Sequence, residues 1–547
     1  MMSTFYTTQL ARIYGAAHAT QVEPRLQALL SRYRGRISAP VETALTQRDS
    51  LLITYGDQVR GDSLPLQTLA DFCEAHLRGL VSGIHILPFY PWSSDDGFSV
   101  KDYRAIDPAL GDWPDVERLG RSFRLMFDGV INHASAQGAW FQSFLRDEAP
   151  YNDYFVTVEG EPDLSEVVRP RALPLLTAFQ TPRGLRRVWT TFSADQVDLN
   201  FANPAVLLEI CDILLMYAAR GAQFIRLDAI AYLWKEIGTN CIHRPETHAV
   251  IQLFRAIFDD LAPHVRLITE TNVPHVDNIS YFGDGTNEAQ LVYNFALPPL
   301  VLHTLRTGDA SALSGWASGL VLPSSQVTFF NFLASHDGVG LNPAKGILSP
   351  NEIEALVQQT LAHGGLISYK QNSDGTQSPY EMNINYFDAL SNPTSAEPLN
   401  TQVARFMAAQ AIMLSLRGLP GIYFHSLFGS RNWADGVKQT GHNRTINRQK
   451  LDSATLEAEL ATPASLRAQV FDRYSALLRQ RAQSAAFDPY GGQEILQMGS
   501  GIFAVQRTSP DGSERVLCLQ NVTAQAQHAA GYRLAAYETQ WVKNPPL

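Results

Sequence analysis

The sequence predicts a (β/α)8 barrel, a TIM barrel, that carries inserted small domains and ends in an antiparallel β-domain. Three observations lead there. Eight short β-like runs recur between residues 51 and 424, amphipathic helical stretches lie between several of them, and carboxylates stand at the downstream ends of the runs. A doubly wound open sheet is the alternative that the same alternation allows.

Residues 1–48 read as a helical extension, with Val22, Leu26, Leu29 and Leu30 near helical spacing and charges on the other positions. The β-like runs follow at 51–55, 83–87, 125–128, 224–227, 265–269, 291–295, 327–332 and 421–424. The clearest helix opens with Asn203 as N-cap and Pro204 at its first position and closes at Gly221; Val206, Ile210, Leu214 and Tyr217 give it one apolar face. The barrel is therefore expected over 49–133 and 201–335, with its end in 401–485. Residues 134–200 carry Pro, Glu, Arg and Asp without strong helical periodicity and are expected to form an inserted domain beside the substrate cleft. Residues 336–400 form a second, loop-rich insertion, in which the polar stretch 371–379 is expected to be mobile. In 486–547, the alternating runs 501–505 and 516–519, separated by Asp511-Gly512, predict antiparallel strands.

With 547 residues, 45% of them hydrophobic, the chain can bury a large core. Its 43 basic and 53 acidic residues give a net charge of -10, so it offers no basic field to a nucleic acid or an anionic membrane. Cys73, Cys211, Cys241 and Cys518 are far apart, which supports neither a disulfide framework nor a thiolate metal site. No apolar run approaches the roughly 20 residues of a membrane span, and residues 1–23 lack a basic patch followed by an apolar core. A cytoplasmic, unprocessed protein, monomer or homodimer, is the expectation.

The chemistry is read from the ends of the runs. Arg226 and Asp228 are two residues apart on an extended segment and project to one face. Asp128, in Asp128-Gly129-Val130-Ile131-Asn132-His133, closes the 125–128 run; Glu270 follows 265–269; Ser335-His336-Asp337 follows 327–332. Parallel α/β proteins keep their chemistry at this end of the sheet. Carboxylates converging there with two imidazoles and an arginine are what glycosidic-bond chemistry requires: one attacks the sugar carbon, one protonates the departing oxygen, and others hold the cationic sugar.

These stretches resemble the conserved regions of the α-amylase family, glycoside hydrolase family 13. The resemblance spans most of the chain. It implies Asp228 as nucleophile, Glu270 as general acid/base and Asp337 as a stabiliser that binds sugar hydroxyls. Arg226 would keep Asp228 ionised, and His133 and His336 would hydrogen-bond the sugar. Most members carry Asn-His-Asp in the last region, so Ser335 is a departure. Asn132 resembles a calcium ligand of true amylases, but the rest of that site is not recognisable, and no metal or other cofactor is expected.

Within the family the chain is most similar to the sucrose phosphorylase branch. The residues that carry this include 52–55, 83–89, Asp95-Asp96-Gly97-Phe98, Arg169-Pro170-Arg171, 295–300 and His336-Asp337-Gly338. The resemblance implies that Asp95 and Arg444 meet the far hydroxyls of a single glucose, with Phe98 and Tyr232 lining its pocket. It also implies double displacement, with inorganic phosphate and a small α-glucoside as substrates, and Arg171 as the cation that meets phosphate. Tyr380 and Glu381, in Tyr380-Glu381-Met382-Asn383, would contact the acceptor. That stretch departs from the Tyr-Gln-Val-Asn pattern of sucrose phosphorylases. It is more similar, together with the extension, to glucosylglycerate phosphorylases, which release glycerate; Arg171 or Lys370 would then meet the glycerate carboxylate. Sucrose, glucosylglycerol or sucrose 6-phosphate phosphorolysis, an α-glucoside hydrolase or transglucosylase, and an inactive barrel that serves as a binding subunit stay open as alternatives.

Overall fold

Runs that are apolar on both faces, such as Leu51-Leu52-Ile53, suit strands buried between a barrel interior and a ring of helices. The computed structural model, which describes residues 2–372 and 374–545, contains such a barrel. Ser373, in the polar stretch expected to be mobile, lies outside the described residues, as do Met1, Pro546 and Leu547. Among the described residues eight parallel strands close the barrel: β1 Leu51–Thr54, β2 Gly83–Ile86, β3 Arg124–Gly129, β4 Ala222–Leu227, β5 Arg266–Thr269, β6 Leu291–Tyr293, β7 Thr328–Asn331 and β8 Leu419–Tyr423. Each strand pairs with its neighbour in sequence, and β1 closes the ring on β8. The eight expected runs all fall on these strands, and the open-sheet alternative is set aside by the closure.

Register places the chemistry. Arg226 on β4 is paired with Asp128 on β3, and Leu227 is level with both Gly129 and Thr269. The next residue on β4 is Asp228 and the next on β5 is Glu270, so the two carboxylates emerge side by side at one rim of the barrel. Between β3 and β4, the helix Pro204–Ala219 starts where expected, the Asn203 side chain accepting from Ala205 N at 2.9 Å.

Helices Met2–Tyr14 and Ala16–Tyr33 pack on the outside of the barrel, against Pro245–Leu261 and the helix after Asn203. Val22, Leu26, Leu29 and Leu30 are all buried there, and the Tyr33 hydroxyl donates to Asp212 Oδ1 at 2.7 Å. The segment between β3 and β4 holds a three-stranded antiparallel sheet, Thr157–Val158, Gly184–Trp189 and Leu176–Thr181. After β7 the chain forms the helix Pro350–Ala362 and a hairpin, Leu366–Gln371 with Gln377–Asn383, whose second strand also pairs with Val339–Gly340. Of the polar stretch 371–379, Gln371 pairs with Gln377, and Ser378 and Pro379 continue the second arm opposite Lys370 and Tyr369. Four antiparallel strands, Gly492–Leu496, Ile502–Thr508, Arg515–Asn521 and Thr539–Lys543, form the C-terminal sheet. Arg481 ties the segment that leads into this sheet to the barrel, its buried guanidinium donating to the carbonyls of Gln47 (2.5 Å), Phe487 (3.0 Å) and Gly418 (3.3 Å).

Candidate active site

At the C-terminal rim, a buried chain of charges leads from the barrel interior to the cavity. His85 on β2 meets Asp128 Oδ2 at 2.7 Å, Arg226 binds Asp128 Oδ1 at 2.5 Å, and the same guanidinium nitrogen holds Asp228 Oδ1 at 2.8 Å. Burial pushes the Asp128 carboxyl up, but His85 and Arg226 outweigh it and hold the group down at about 2. Asp128 is thus a fixed anion that anchors Arg226 beneath Asp228. The carboxylate of Glu270 accepts from Ala229 N at 2.9 Å and lies 3.9 Å from the other end of Arg226. Ala229 takes the left-handed conformation, φ +49°, which a residue with a Cβ adopts only at a cost of order 1 kcal/mol or more. That turn aims its N–H at Glu270.

Asp228 and Glu270 have opposite needs in glycoside chemistry: one ionised, one protonated. Burial pushes each of them up to about 7, the charges of their carboxylate neighbours add to this, and Arg226 opposes it. Near neutrality the pair therefore shares a proton. It belongs on Glu270, because Arg226 lies 2.8 Å from Asp228 and 3.9 Å from Glu270. Asp337 stays ionised: burial is outweighed there by Arg444 first and then by Arg448 and Arg226. Its N–H donates to Ser335 Oγ at 3.2 Å, so the departure at Ser335 makes the local turn.

A cavity with about 580 Å³ of empty space opens on these carboxylates. Its walls bring together most of the expected residues: Asp95, Phe98, His133, Arg171, Asp228, Tyr232, Glu270, His336, Asp337, Tyr380 and Arg444. Phe98 stacks on His336 with centroids 4.6 Å apart, and His133 Nε2 donates to the Phe98 carbonyl at 2.8 Å. Burial, with Arg448 and Arg226, drives the His336 imidazole well below its usual range, so it is neutral.

Three residues expected at the substrate stand elsewhere. Arg226, 2% exposed, lies under Asp228 and does not reach the cavity wall, because Asp128 draws it into the barrel. Glu381, expected at the acceptor, is fully buried behind Arg444, which it holds at 3.0 and 2.7 Å. The hairpin pairing turns its side chain inward, where Gly338 N–H donates to it at 3.1 Å. A Cβ at Gly338 would come within 2.6 Å of Glu381 Cγ, so the close approach needs that glycine. Lys370, on the outer part of the same hairpin, does not line the cavity.

Sequence reasoning assigned no role to several residues found here. Phe192, Gln196, Thr271 and Asn272 line the cavity, and Gln196 donates to the Phe98 carbonyl at 3.1 Å. Arg448, 4% exposed, holds Asp96 at 2.6 Å, donates to His336 O at 2.8 Å and lies 3.8 Å from Asp337. Its only sequence signal is a second arginine four positions after Arg444.

Asn132, the position that resembles a calcium ligand, has a lysine beside it. Lys235 Nζ lies 2.7 Å from Asn132 Oδ1 and 2.6 Å from Asp198 Oδ2, so a buried ammonium supplies the cation that this donor set would hold. Asp198 also accepts from Thr191 N (2.8 Å) and Thr191 Oγ1 (2.6 Å). These donors suit a carboxylate already paired with a lysine better than a calcium ion, which takes six to eight oxygens.

Comparison with known proteins gives one consistent result. The alpha-amylase catalytic-domain model matches residues 76–315. Glucosylglycerate phosphorylase from Spirochaeta thermophila is 53% identical over 94% of this chain and 88% of its own length, and that from Allomeiothermus silvanus is 54% identical over 89% and 87%. A sucrose phosphorylase from Agrobacterium vitis is 33% identical over 80% of this chain and 88% of its own. Among solved structures, sucrose 6F-phosphate phosphorylase from Thermoanaerobacter thermosaccharolyticum superposes with a TM-score of 0.78 at 24% identity, covering 92% of this chain and 98% of that one.

Proposed function

The chain belongs to the α-amylase family, in its sucrose phosphorylase-like branch, and on that premise we propose that it is a retaining α-glucoside phosphorylase acting on glucosylglycerate. Phosphate would release D-glycerate and form α-D-glucose 1-phosphate. The observation that carries the chemistry is the arrangement of Asp228 and Glu270 on adjacent strand ends about one guanidinium, at the foot of a cavity that also exposes an arginine. The identity of more than half to the two glucosylglycerate phosphorylases supports glycerate over fructose as the released group.

In the first half-reaction Asp228 attacks the anomeric carbon as the bond to the glycerate oxygen breaks, and the Glu270 proton passes to that oxygen. Arg226 keeps Asp228 ionised and aimed, while Asp337 and Arg444, paired at 2.5 Å, face the sugar hydroxyls. In the second half-reaction a phosphate oxygen attacks the glucosyl ester from the same side, its proton returns to Glu270, and Asp228 leaves. Two inversions give net retention. Arg171 is the cation that meets the phosphate.

No helix of the described residues is long and apolar enough to cross a membrane. All four cysteines are buried and unpaired, which supports a reducing cytoplasm as the site of action. The deciding experiment incubates the protein with glucosylglycerate and inorganic phosphate and measures α-D-glucose 1-phosphate and D-glycerate. Equal amounts of the two are expected. Free glucose as the dominant product would make the chain a hydrolase, and turnover of sucrose well above that of glucosylglycerate would move it to the fructose-releasing members.

A further inference from the structure

The extension helices Met2–Tyr14 and Ala16–Tyr33 lie against the two barrel helices that flank β4, the strand that carries Arg226 and leads into Asp228. On the helix before β4, Asp212 accepts from Tyr33 at 2.7 Å and Arg32 at 3.1 Å. On the helix after β4, Asp260 accepts from Tyr6 at 3.2 Å and Arg34 at 2.8 Å. Between the extension helices the chain turns at Gly15, whose φ of +79° suits glycine, and Tyr14 stands just before that turn. The Tyr14 hydroxyl donates to the Phe201 carbonyl at 2.9 Å, and its ring centroid lies 6.5 Å from that of Trp234. Phe201 belongs to the connection from β3 to its helix and Trp234 to the connection from β4 to the next helix. Such connections build the catalytic face of a barrel.

Both partners of Tyr14 stand one step from the cavity. Lys235, next to Trp234, spans Asn132 and Asp198 at 2.7 and 2.6 Å, and Tyr232, on the other side of Trp234, lines the cavity. Phe201 ends the segment whose strand Gln196–Asp198 pairs with His133–Ser135. Gln196 and His133 line the cavity and both bond to the Phe98 carbonyl. From this arrangement, and resting on the glucoside chemistry proposed above, we propose that Tyr14 is a positioning residue for the sugar pocket. The extension braces the β4 unit from outside the barrel, and Tyr14 locks the connection past Asp228 to the returning segment of the inserted domain. The joint has two layers, Lys235 on the inside and Tyr14 on the outside. A displacement of about 1 Å by a change far from the chemistry can cost about 100-fold in rate, so a brace at this joint acts on turnover as well as on stability.

The test uses matched changes at the two ends of one helix. Tyr6, 1% exposed, packs on the outer side of the barrel and makes no contact with the catalytic connections among those described above, so Tyr6→Ala and Tyr6→Phe report loosening of the extension alone. They are compared with Tyr14→Ala and Tyr14→Phe in the full chain, by Tm and by kcat/KM for α-D-glucosyl fluoride with inorganic phosphate, assayed well below the lowest Tm. That constant reports formation of the glucosyl-enzyme, before any acceptor is chosen. Tyr6→Ala should lower Tm at least as far as Tyr14→Ala and keep the wild-type kcat/KM. Tyr14→Ala should lower kcat/KM about tenfold, and Tyr14→Phe, which keeps the ring on Trp234 and loses the bond to Phe201, about two- to threefold. Wild-type kcat/KM in Tyr14→Ala overturns the proposal, since the extension would then serve stability only. An equal kinetic loss in the Tyr6 variants also overturns it. Should the alanine variants not fold, the phenylalanine pair decides, and equal kcat/KM in the two refutes the role of Tyr14. The phosphorylase reading fails separately, in the wild type, when glucose rather than glucose 1-phosphate forms from the fluoride and phosphate; the comparison of variants stands in either case.

Discussion

Replacing the proposed nucleophile should make the protein inactive and, above pH 7, more stable. Asp228 is 8% exposed, and its carboxyl is raised from the ordinary 3.8 to about 7 by burial and by Asp128 and Asp337, against the pull of Arg226. A group whose proton is held more tightly when folded stabilises the protein below the unfolded value and loses that contribution as pH rises through the folded one. The window is therefore about pH 4 to 7, with stability falling upward through it. At about 1.4 kcal/mol for each tenfold change in proton affinity the full effect is about 4 kcal/mol, and because Asp228 shares its proton with Glu270, about half belongs to each. Asp228→Asn carries no proton to lose. It should match wild type at pH 4.5 and exceed it by about 2 kcal/mol at pH 8. With an unfolding entropy of about 2.1 cal/mol/K per residue, that is a Tm higher by about 2 °C in a chain of this size. Scanning calorimetry of both proteins at the two pH values, beside a turnover assay in which the variant is lower by several powers of ten, checks it. A variant less stable at pH 8, or a Tm difference that ignores pH, would falsify the view that the ionised Asp228 is strained by its surroundings.

The shared proton also predicts a bell-shaped kcat/KM profile centred near pH 7, with protonation of Asp228 on the acid limb and deprotonation of Glu270 on the alkaline limb. In Glu270→Gln, assayed with α-D-glucosyl fluoride, the alkaline limb should vanish; its persistence would assign it to another group. Glu381→Gln should lower stability by about 2–3 kcal/mol, less than the full penalty for breaking a buried pair because Arg444 keeps Asp337 at 2.5 Å. Unchanged thermal and denaturant midpoints would show that the Glu381 charge is not needed there. Arg448→Met should reduce kcat/KM by tenfold or more by releasing Asp96 and the His336 carbonyl. Wild-type kinetics in that variant would remove Arg448 from the site. Lys235→Met leaves Asp198 a buried anion without its cation and should destabilise by about 3–5 kcal/mol, a loss read by urea unfolding.

The sequence by itself determined the barrel and its reacting ends. Strand identity is local, written in short runs such as 224–227 and 265–269, and the residue after each run must stand at the rim whatever the rest of the chain does. That is why Asp228 and Glu270 were legible. Tertiary structure alone decided which charges meet, since contacts among Asp128, Arg226 and His85, or between Lys235 and Asp198, depend on register and on loops separated by tens of residues. The same reason accounts for Glu381. Its position in the chain says only that it neighbours Tyr380, and strands send successive side chains to opposite faces. Pairing with Val339–Gly340 turned Tyr380 to the cavity and Glu381 to Arg444. A carboxylate that reads as an acceptor contact in sequence becomes, through that pairing, the buried counter-charge of Arg444.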